Sequence, residues 1–531
     1  MPTRYEPVRR VIAGQSDLIC PGLARSSFAP PVIIHRFALA TILTVFGIAG
    51  IASLQSEIFG VHHDDGVFLA SAESVAAGHG YRLPSLPGAP PATKYPPLYP
   101  LLVSLVIAIT PPFPDNLILV KLVNVACYVI SLALFFGLAR SRLEDDWAAL
   151  VLTASLGLSP VVVIYLDYTM SESLFLTLTI AFLKAWERAV ARRDASRTFM
   201  SLVLLLAILA TKAIGLGIGV AAILDALRRR RLFLALLTAA VTSLWVVAWQ
   251  SIQPTDVPSP LLDYYLRYEP TLLAIIPSSP HRAVEAMIDT IRHYSDGLHM
   301  IVGPAWSLPP VTVLAAYGLL RRRHTLEPLL VFGCLGILLL YPGSAPRYLL
   351  PLLPSYLLGT GDAVRTICSQ AGLSRMALPA VLTMFAVAGV TPIANYVRHH
   401  PSASADSKEW QGFLETAQWL RDNTPENTVI ASGYDQAYFL ASRRAAVRPW
   451  RHDAFSYFHP YGKAVPRIGT AADVRADLEA LGVRYVILEP QDSHVEGRAV
   501  ETMLSTLVKL PPVAVPVFIS EGGRRVVYRL P

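Results

Sequence analysis

Two adjacent aspartates, Asp64 and Asp65, stand in the run His62-His63-Asp64-Asp65-Gly66, a few residues past a long apolar segment. A carboxylate there can take the proton of an attacking hydroxyl. It can equally cap the free amides of a helix starting at this point, where the positive end of the dipole favours it. The amphipathic stretch 67–77, closed by Gly78 and Gly80, supplies such a helix, and these residues alone weigh the two roles evenly. Lys94 follows in Lys94-Tyr95-Pro96-Pro97-Leu98-Tyr99, whose prolines impose an extended entry into the next apolar piece. Its plainer role is an anchor at the level of anionic lipid headgroups.

Further along, Asp167, Tyr168, Met170, Ser171 and Glu172 lie between two apolar runs. Asp167 can simply be solvated there, and Glu172 with Ser171 can cap the helix that follows. Lys212 is harder to dismiss, because an unpaired charge near the middle of an apolar stretch costs a few kcal/mol. It requires an anionic partner. Arg347 and Tyr348 open another apolar run after Tyr341-Pro342-Gly343. Arg347 either snorkels to headgroups or binds a lipid phosphate at a defined place.

If these turns share one side of a membrane, they bring two or three carboxylates and up to three cations around one cavity. That arrangement suits sugar transfer from a polyprenyl phosphate: the acyl tail stays in lipid, and the phosphate meets Lys94, Lys212 or Arg347. One carboxylate accepts the acceptor hydroxyl's proton while its oxygen attacks the anomeric carbon. Phosphate leaves readily, and cations that neutralise its growing charge replace a glycosidase's general acid. A direct displacement inverts the anomeric configuration.

The elements that must position these residues are membrane helices. The chain is 53% hydrophobic and only 16% charged, and runs such as 37–59, 117–138 and 232–249 are long enough to cross a bilayer core. The first run begins too late and is too long for a cleavable signal peptide. Of the four cysteines, Cys127 and Cys334 lie in apolar runs and Cys20 and Cys368 in basic flanks, which implies no disulfide framework. The net charge of +7 comes from short arginine clusters between apolar runs, a topology signal rather than a nucleic-acid surface.

These clusters include Arg4, Arg9, Arg10, Arg25 and Arg36 at the start, Arg140 with Arg142, then Arg188, Arg192, Arg193 and Arg197, and further on 228–231 and 321–323. Placing them in the cytoplasm leaves 60–114 and 253–302 outside. The short apolar piece 98–110 then reads as a helix on the outer surface, and 198–227 as a hairpin broken near Lys212. Each hairpin arm is too short to cross fully, so its turn is sunk and needs a polar cavity around it. Eleven helices result: 37–59, 115–139, 147–166, 171–190, 198–211, 213–227, 232–252, 303–320, 326–342, 347–366 and 375–396. Eleven is odd, which puts the C-terminus outside.

The expected fold class is therefore a polytopic α-helical membrane protein with a small C-terminal α/β domain. Its parts are a cytoplasmic segment 1–36, a membrane module 37–397 with the outer loop 60–114, and an extracytoplasmic domain 398–531. In that domain Trp410, Phe413, Ala417 and Leu420 recur at helical spacing, 428–431 and 483–488 read as strands, 473–481 as a helix and 513–529 as a hairpin.

Taken together, the motifs resemble the GT-C superfamily of membrane glycosyltransferases, in particular protein O-mannosyltransferases and lipid A aminoarabinose transferases. The resemblance covers most of the chain. It is carried by Asp64-Asp65-Gly, Lys94-Tyr-Pro-Pro-Leu-Tyr-Pro, Met170-Ser-Glu-Ser-Leu-Phe, Ala210-Thr-Lys-Ala-Ile-Gly and Arg347-Tyr-Leu-Leu-Pro-Leu-Leu-Pro. The C-terminal runs Trp419-Leu-Arg-Asp-Asn-Thr and Leu481-Gly-Val-Arg-Tyr-Val are similar to the outer domains of bacterial members. The likeness implies a catalytic base or metal contact at Asp64, or at its neighbour Asp65, and a second acid at Asp167. Substrate contacts are expected at Lys94, Tyr95, Glu172, Lys212, Arg347 and Tyr348. Similar proteins read Thr-Arg-Pro-Glu-Gly at the hairpin, where this chain has Thr211-Lys-Ala-Ile-Gly, so the family's acid and proline are missing.

The expected partners are a polyprenyl-phosphate-linked sugar donor, a lipid, glycan or protein acceptor and membrane lipids, with no nucleic acid. A divalent metal ion is left open, with Asp64 and Asp167 as its expected ligands. His62 and His63 stand beside them, although consecutive side chains seldom converge on one centre. The implied place is a bacterial plasma membrane. The competing class is a polytopic transporter or lipid flippase, which broken helices and buried charges serve equally well. Acids confined to outer loops and the absence of duplicated halves speak against it.

Overall fold

Apolar runs in lipid satisfy their backbone only as helices or closed barrels. In the computed structural model, the chain takes the first course. The structure describes residues 32–60, 63–192, 194–267, 273, 276–277, 279–297, 308–341, 346–373, 377–383, 403–451, 468–489 and 498–531. His62, Cys20, Arg4, Arg9, Arg10, Arg25 and Arg193 lie outside these residues, as do 303–307, 384–396 and the expected domain boundary at 398.

Among the described residues, three helices are long and apolar enough to cross a membrane: Ile34–Ala52, Leu117–Leu143 and Leu232–Ser251. The pair Asp146–Gly157 and Pro160–Asp167, bent by 51°, makes a fourth. The bend falls at Pro160, which gives no amide to the helix and disfavours helical backbone before it. Other expected crossings are shorter or more polar helices, including Glu172–Arg192, Ala195–Leu209, Gly215–Arg228 and Glu327–Leu340.

Two boundaries differ from expectation. The first helix, Val32–Ala52, starts and stops early, leaving 53–60 non-helical. There the carbonyls of Gln55 and Ile58 accept hydrogen bonds from the Lys121 ammonium instead of from a following turn. The expected helix 347–366 opens as a 3-10 turn, Pro346–Leu352, and becomes regular only in Leu353–Gln370. Pro351 inside the turn removes an amide donor.

The hairpin forms as anticipated. Its arms, Ala195–Leu209 and Gly215–Arg228, are joined by a tight turn in which the Gly215 amide donates to the Lys212 carbonyl at 3.0 Å. The second arm crosses Glu327–Leu340 backbone to backbone, and a Cβ on Gly217 would lie 2.6 Å from the Gly333 carbonyl group. Small residues at such crossings let helices approach in lipid. The surface helix Leu98–Ile107 is tied to the same turn, its Leu98 amide donating to the Ala210 carbonyl at 2.9 Å.

At one end of the bundle sits a five-stranded sheet of β1 (Val429–Ala431), β2 (Ala445–Val447), β3 (Val483–Leu488), β4 (Val515–Ile519) and β5 (Val526–Arg529). Its order is β2-β1-β3-β5-β4; β2, β1 and β3 run parallel, and β5 and β4 add the antiparallel hairpin. Helices Ala403–Asn423 and Ala471–Ala480 follow the sequence reading, whereas the helix Asp435–Ser442 and β2 were not anticipated. The sheet unit and the first long loop share their cores. Val67, Leu83 and Leu86 pack with Ala431, Val447 and Trp450, and Phe68, Leu69 and Tyr99 pack with Phe413 and Tyr438.

Candidate active site

The helix His63–Ala76 begins at the pair of aspartates, so their carboxylates lie at its positive end. Its pitch sends the two side chains in different directions. Asp65 is fully buried and accepts the amides of Gly60 at 2.9 Å and Gly66 at 2.7 Å. Burial pushes its carboxyl up to about 7 against the pull of those amides. Asp64 instead faces an open cleft lined also by Tyr95, Ser171, Glu172, Lys212, Arg347 and Tyr348.

In that cleft Asp64 Oδ1 accepts the Tyr95 hydroxyl at 2.5 Å and Oδ2 accepts Arg347 Nη2 at 2.6 Å. Burial would raise the Asp64 carboxyl, but Arg347, the Tyr95 hydrogen bond and Lys94 outweigh it and hold the group well below the usual carboxylate range. Arg347 also reaches Glu172, with Nε 3.7 Å from Oε1, and the same Glu172 oxygen accepts the Lys212 ammonium. This is the anionic partner that Lys212 requires. Buried Glu172 and half-buried Arg347 therefore form the middle of a four-membered chain of alternating charge, Asp64–Arg347–Glu172–Lys212.

The chain of charges is not closed on itself. Among the described residues, the Ser171 hydroxyl, Glu172 Oε2 and Arg347 Nε are buried without a hydrogen-bond partner, and all three residues line the cleft. Buried polar atoms left in that state call for a polar ligand or water. The opposite wall is apolar, formed by Phe68, Ile214, Ile337 and Leu338. A molecule with a charged head and a hydrocarbon tail matches both walls.

Not every expected site residue enters the cleft. Asp167 is not among its lining residues; its Oδ1 accepts Lys121 Nζ at 2.8 Å and the Gln55 amide at 2.9 Å. The helix Leu117–Leu143 carries Lys121 fully buried, so Asp167 is its counterion. Lys94 stands behind the cleft, its ammonium 3.4 Å from the centre of the Tyr264 ring. Neighbouring Thr93 is fixed from both sides: its hydroxyl donates to Leu266 at 2.7 Å, and its carbonyl accepts Gln253 at 2.6 Å. His63 points to Asp435 of the sheet unit, at 2.9 Å.

Asp64 and Asp167, the expected metal ligands, are thus not brought together. Among the described residues no three His, Cys, Asp or Glu side chains converge as a metal site. The two cleft carboxylates are already matched by Arg347 and Lys212.

The sequence reading passed over Lys121, Tyr264, Tyr265 and Asp435. Lys121 carried the same signal as Lys212, a charge inside an apolar run. Asp435 carried none, because it lies in an unremarkable segment far along the chain.

No protein-family model matches the sequence, and no curated protein matches it. Solved structures do. ArnT from Cupriavidus metallidurans bound to undecaprenyl phosphate superposes with a TM-score of 0.53 at 14% identity, over 94% of this chain and 98% of that one. The same protein in the apo state gives 0.51 at 14% identity, over 94% and 97%. The Archaeoglobus fulgidus oligosaccharyltransferase, tethered to an acceptor peptide containing the NVT sequon, gives 0.51 at 10% identity, over 93% of this chain and 74% of that one.

The fold is that of the GT-C glycosyltransferases. Its extent matters, because the GT-C likeness takes in the helical bundle and the sheet unit together.

Proposed function

We propose that the protein is an inverting glycosyltransferase that moves a sugar from a polyprenyl-phosphate donor to an acceptor on the extracytoplasmic face of the membrane, with Asp64 as the base. One observation carries the reading: a carboxylate kept ionised shares a cleft with two half-buried cations, and the cleft joins unpartnered polar atoms to an apolar wall. The binding of undecaprenyl phosphate by a GT-C neighbour supports a lipid-phosphate donor.

In this reading the polyprenyl chain lies along Phe68, Ile214, Ile337 and Leu338, and the phosphate meets Arg347 and Lys212. The acceptor hydroxyl oxygen attacks the anomeric carbon, the bond from that carbon to the phosphate oxygen breaks, and the electron pair leaves with the phosphate. Arg347 and Lys212 neutralise the charge that develops there. Asp64 receives the hydroxyl proton. An arriving phosphate competes with Asp64 for Arg347, so donor binding loosens the pair that depresses the carboxylate and raises its proton affinity when a base is needed. Asp65 and Asp167 hold backbone and Lys121 in place and take no part in proton transfer.

The test is incubation of the purified protein with a panel of polyprenyl-phosphate sugars, following release of polyprenyl phosphate. Release by the wild type that is lost in Asp64→Ala supports the assignment. Release that persists in Asp64→Ala removes this base, and no release from any donor returns the fold to the transporter reading.

A further inference from the structure

The turn that carries Asp64 is gripped from the sheet unit as well as from the bundle. Helix Asp435–Ser442 starts directly against it. A Cβ on Gly60 would lie 2.7 Å from the Tyr434 ring, and one on Gly66 would lie 2.6 Å from Gln436 Cβ, so either side of the turn is pressed against residues flanking Asp435. Gly60 has φ +80°, a conformation that side-chain-bearing residues rarely adopt.

Asp435 itself is fully buried, and both its oxygens are engaged. Oδ1 lies 2.9 Å from His63 Nε2; Oδ2 accepts the Tyr265 hydroxyl at 2.5 Å and Gln436 Nε2 at 2.8 Å. Tyr265 is fixed in turn by the Arg448 amide, 3.0 Å from its hydroxyl oxygen. His63 is further enclosed by the Tyr264 and Tyr265 rings, with centroids at 5.0 and 5.4 Å. A carboxylate only accepts, so His63 presents Nε2–H to it. The histidine held in this way is the residue before Asp64.

We propose that Asp435 is a positioning residue for the transfer reaction: from the sheet unit, its carboxylate locks His63 and thereby sets the aim of Asp64 into the cleft. This rests on Asp64 being the base. The sheet unit is then part of the catalytic apparatus, because the chain carries the base on one segment and the clamp that aims it on another, with His63 and Asp435 372 residues apart in sequence.

Full-length protein is compared as wild type, Asp435→Ala, Asp435→Asn, His63→Ala and the double alanine variant. The readings are kcat and KM for polyprenyl phosphate release, binding of undecaprenyl phosphate, melting temperature, and amide exchange over 63–76 and 211–215. Loss of aim by about 1 Å lowers kcat by about 100-fold in Asp435→Ala, while KM and lipid binding stay near wild type. Asparagine, which keeps one acceptor oxygen, restores part of kcat, and the double variant is no slower than the slower single one.

An unchanged kcat in Asp435→Ala overturns the proposal. So does a joint fall of kcat, lipid binding and melting temperature, or additive effects of the two alanines. Should wild type release nothing from any donor, the transferase reading fails separately and the exchange measurement decides the clamp. Faster exchange in 63–76 of Asp435→Ala, with 211–215 unaltered, upholds it, and unchanged exchange in 63–76 overturns it.

Discussion

Two acid–cation clusters stand at the same end of the bundle, and they differ in what the cation does with its remaining hydrogens. Lys121 spends its ammonium on the carbonyls of Gln55 and Ile58 and on Asp167, so its charge is sealed and its product is a fixed turn. In the other cluster, Arg347 leaves Nε without a hydrogen-bond partner among the described residues, and Lys212 meets Glu172 at the rim of an open cleft. Both clusters stabilise buried charge, yet only the second keeps donors and acceptors in reserve for a ligand. A charge inside an apolar run therefore does not by itself mark chemistry.

The sharpest break of this comparison is Asp64→Asn against Asp167→Asn. Loss of a general base is expected to lower kcat for polyprenyl phosphate release by about 10²- to 10⁴-fold. Asp167→Asn should act first on the melting temperature. Equal kinetic losses in the two variants would erase the distinction.

Next in size is Lys121→Met, which strands Asp167 and two carbonyls in the interior. Breaking a buried pair from one side costs about 3–5 kcal/mol, read as a drop in melting temperature or loss of folded protein. The double variant Lys121→Met/Asp167→Leu should recover part of that loss, because the stranded charge goes with it.

Lys212→Met should leave the fold intact, since Glu172 retains Arg347. Binding of undecaprenyl phosphate is expected to weaken by about 10- to 100-fold, the worth of one charge-assisted hydrogen bond. Unaltered binding would move the phosphate away from this cation.

The smallest effect is a pH dependence. Asp64 is held below the usual carboxylate range in the folded chain, so its contribution to stability is present above the unfolded value and lost as pH falls through the folded one. The melting-temperature gap between wild type and Asp64→Asn should be flat near neutrality and narrow below about pH 4. A gap that widens on acidification would reverse the sign assigned to the Arg347 pair.

Much of this was legible in the residues. Apolar length gave the helices, the cost of burying Lys212 demanded an acid, and the tight turn at 210–215 followed from the arginine clusters on either side of the hairpin. Motif order led to the fold and to six of the cleft residues: Asp64, Tyr95, Glu172, Lys212, Arg347 and Tyr348. The same cost argument applied to Lys121 would have found the counterion of Asp167, since an ammonium in an apolar helix needs a partner wherever it lies. The separate fates of Asp64 and Asp65 were not readable. Adjacent residues on a helix diverge by about 100°, and which one faces a cleft depends on how the helix is rotated against Gly60, Thr169 and the sheet unit. Asp435 was out of reach for a related reason, because its partner is 372 residues away and neither residue's surroundings name the other.

The contact of Gly217 with Gly333 has a mechanical meaning. With main chain touching main chain, no side chain is left at that point to act as a spring, so the two helices beside the apolar wall meet at a hard stop. A single methyl group placed there would meet the facing carbonyl and force the two helices apart.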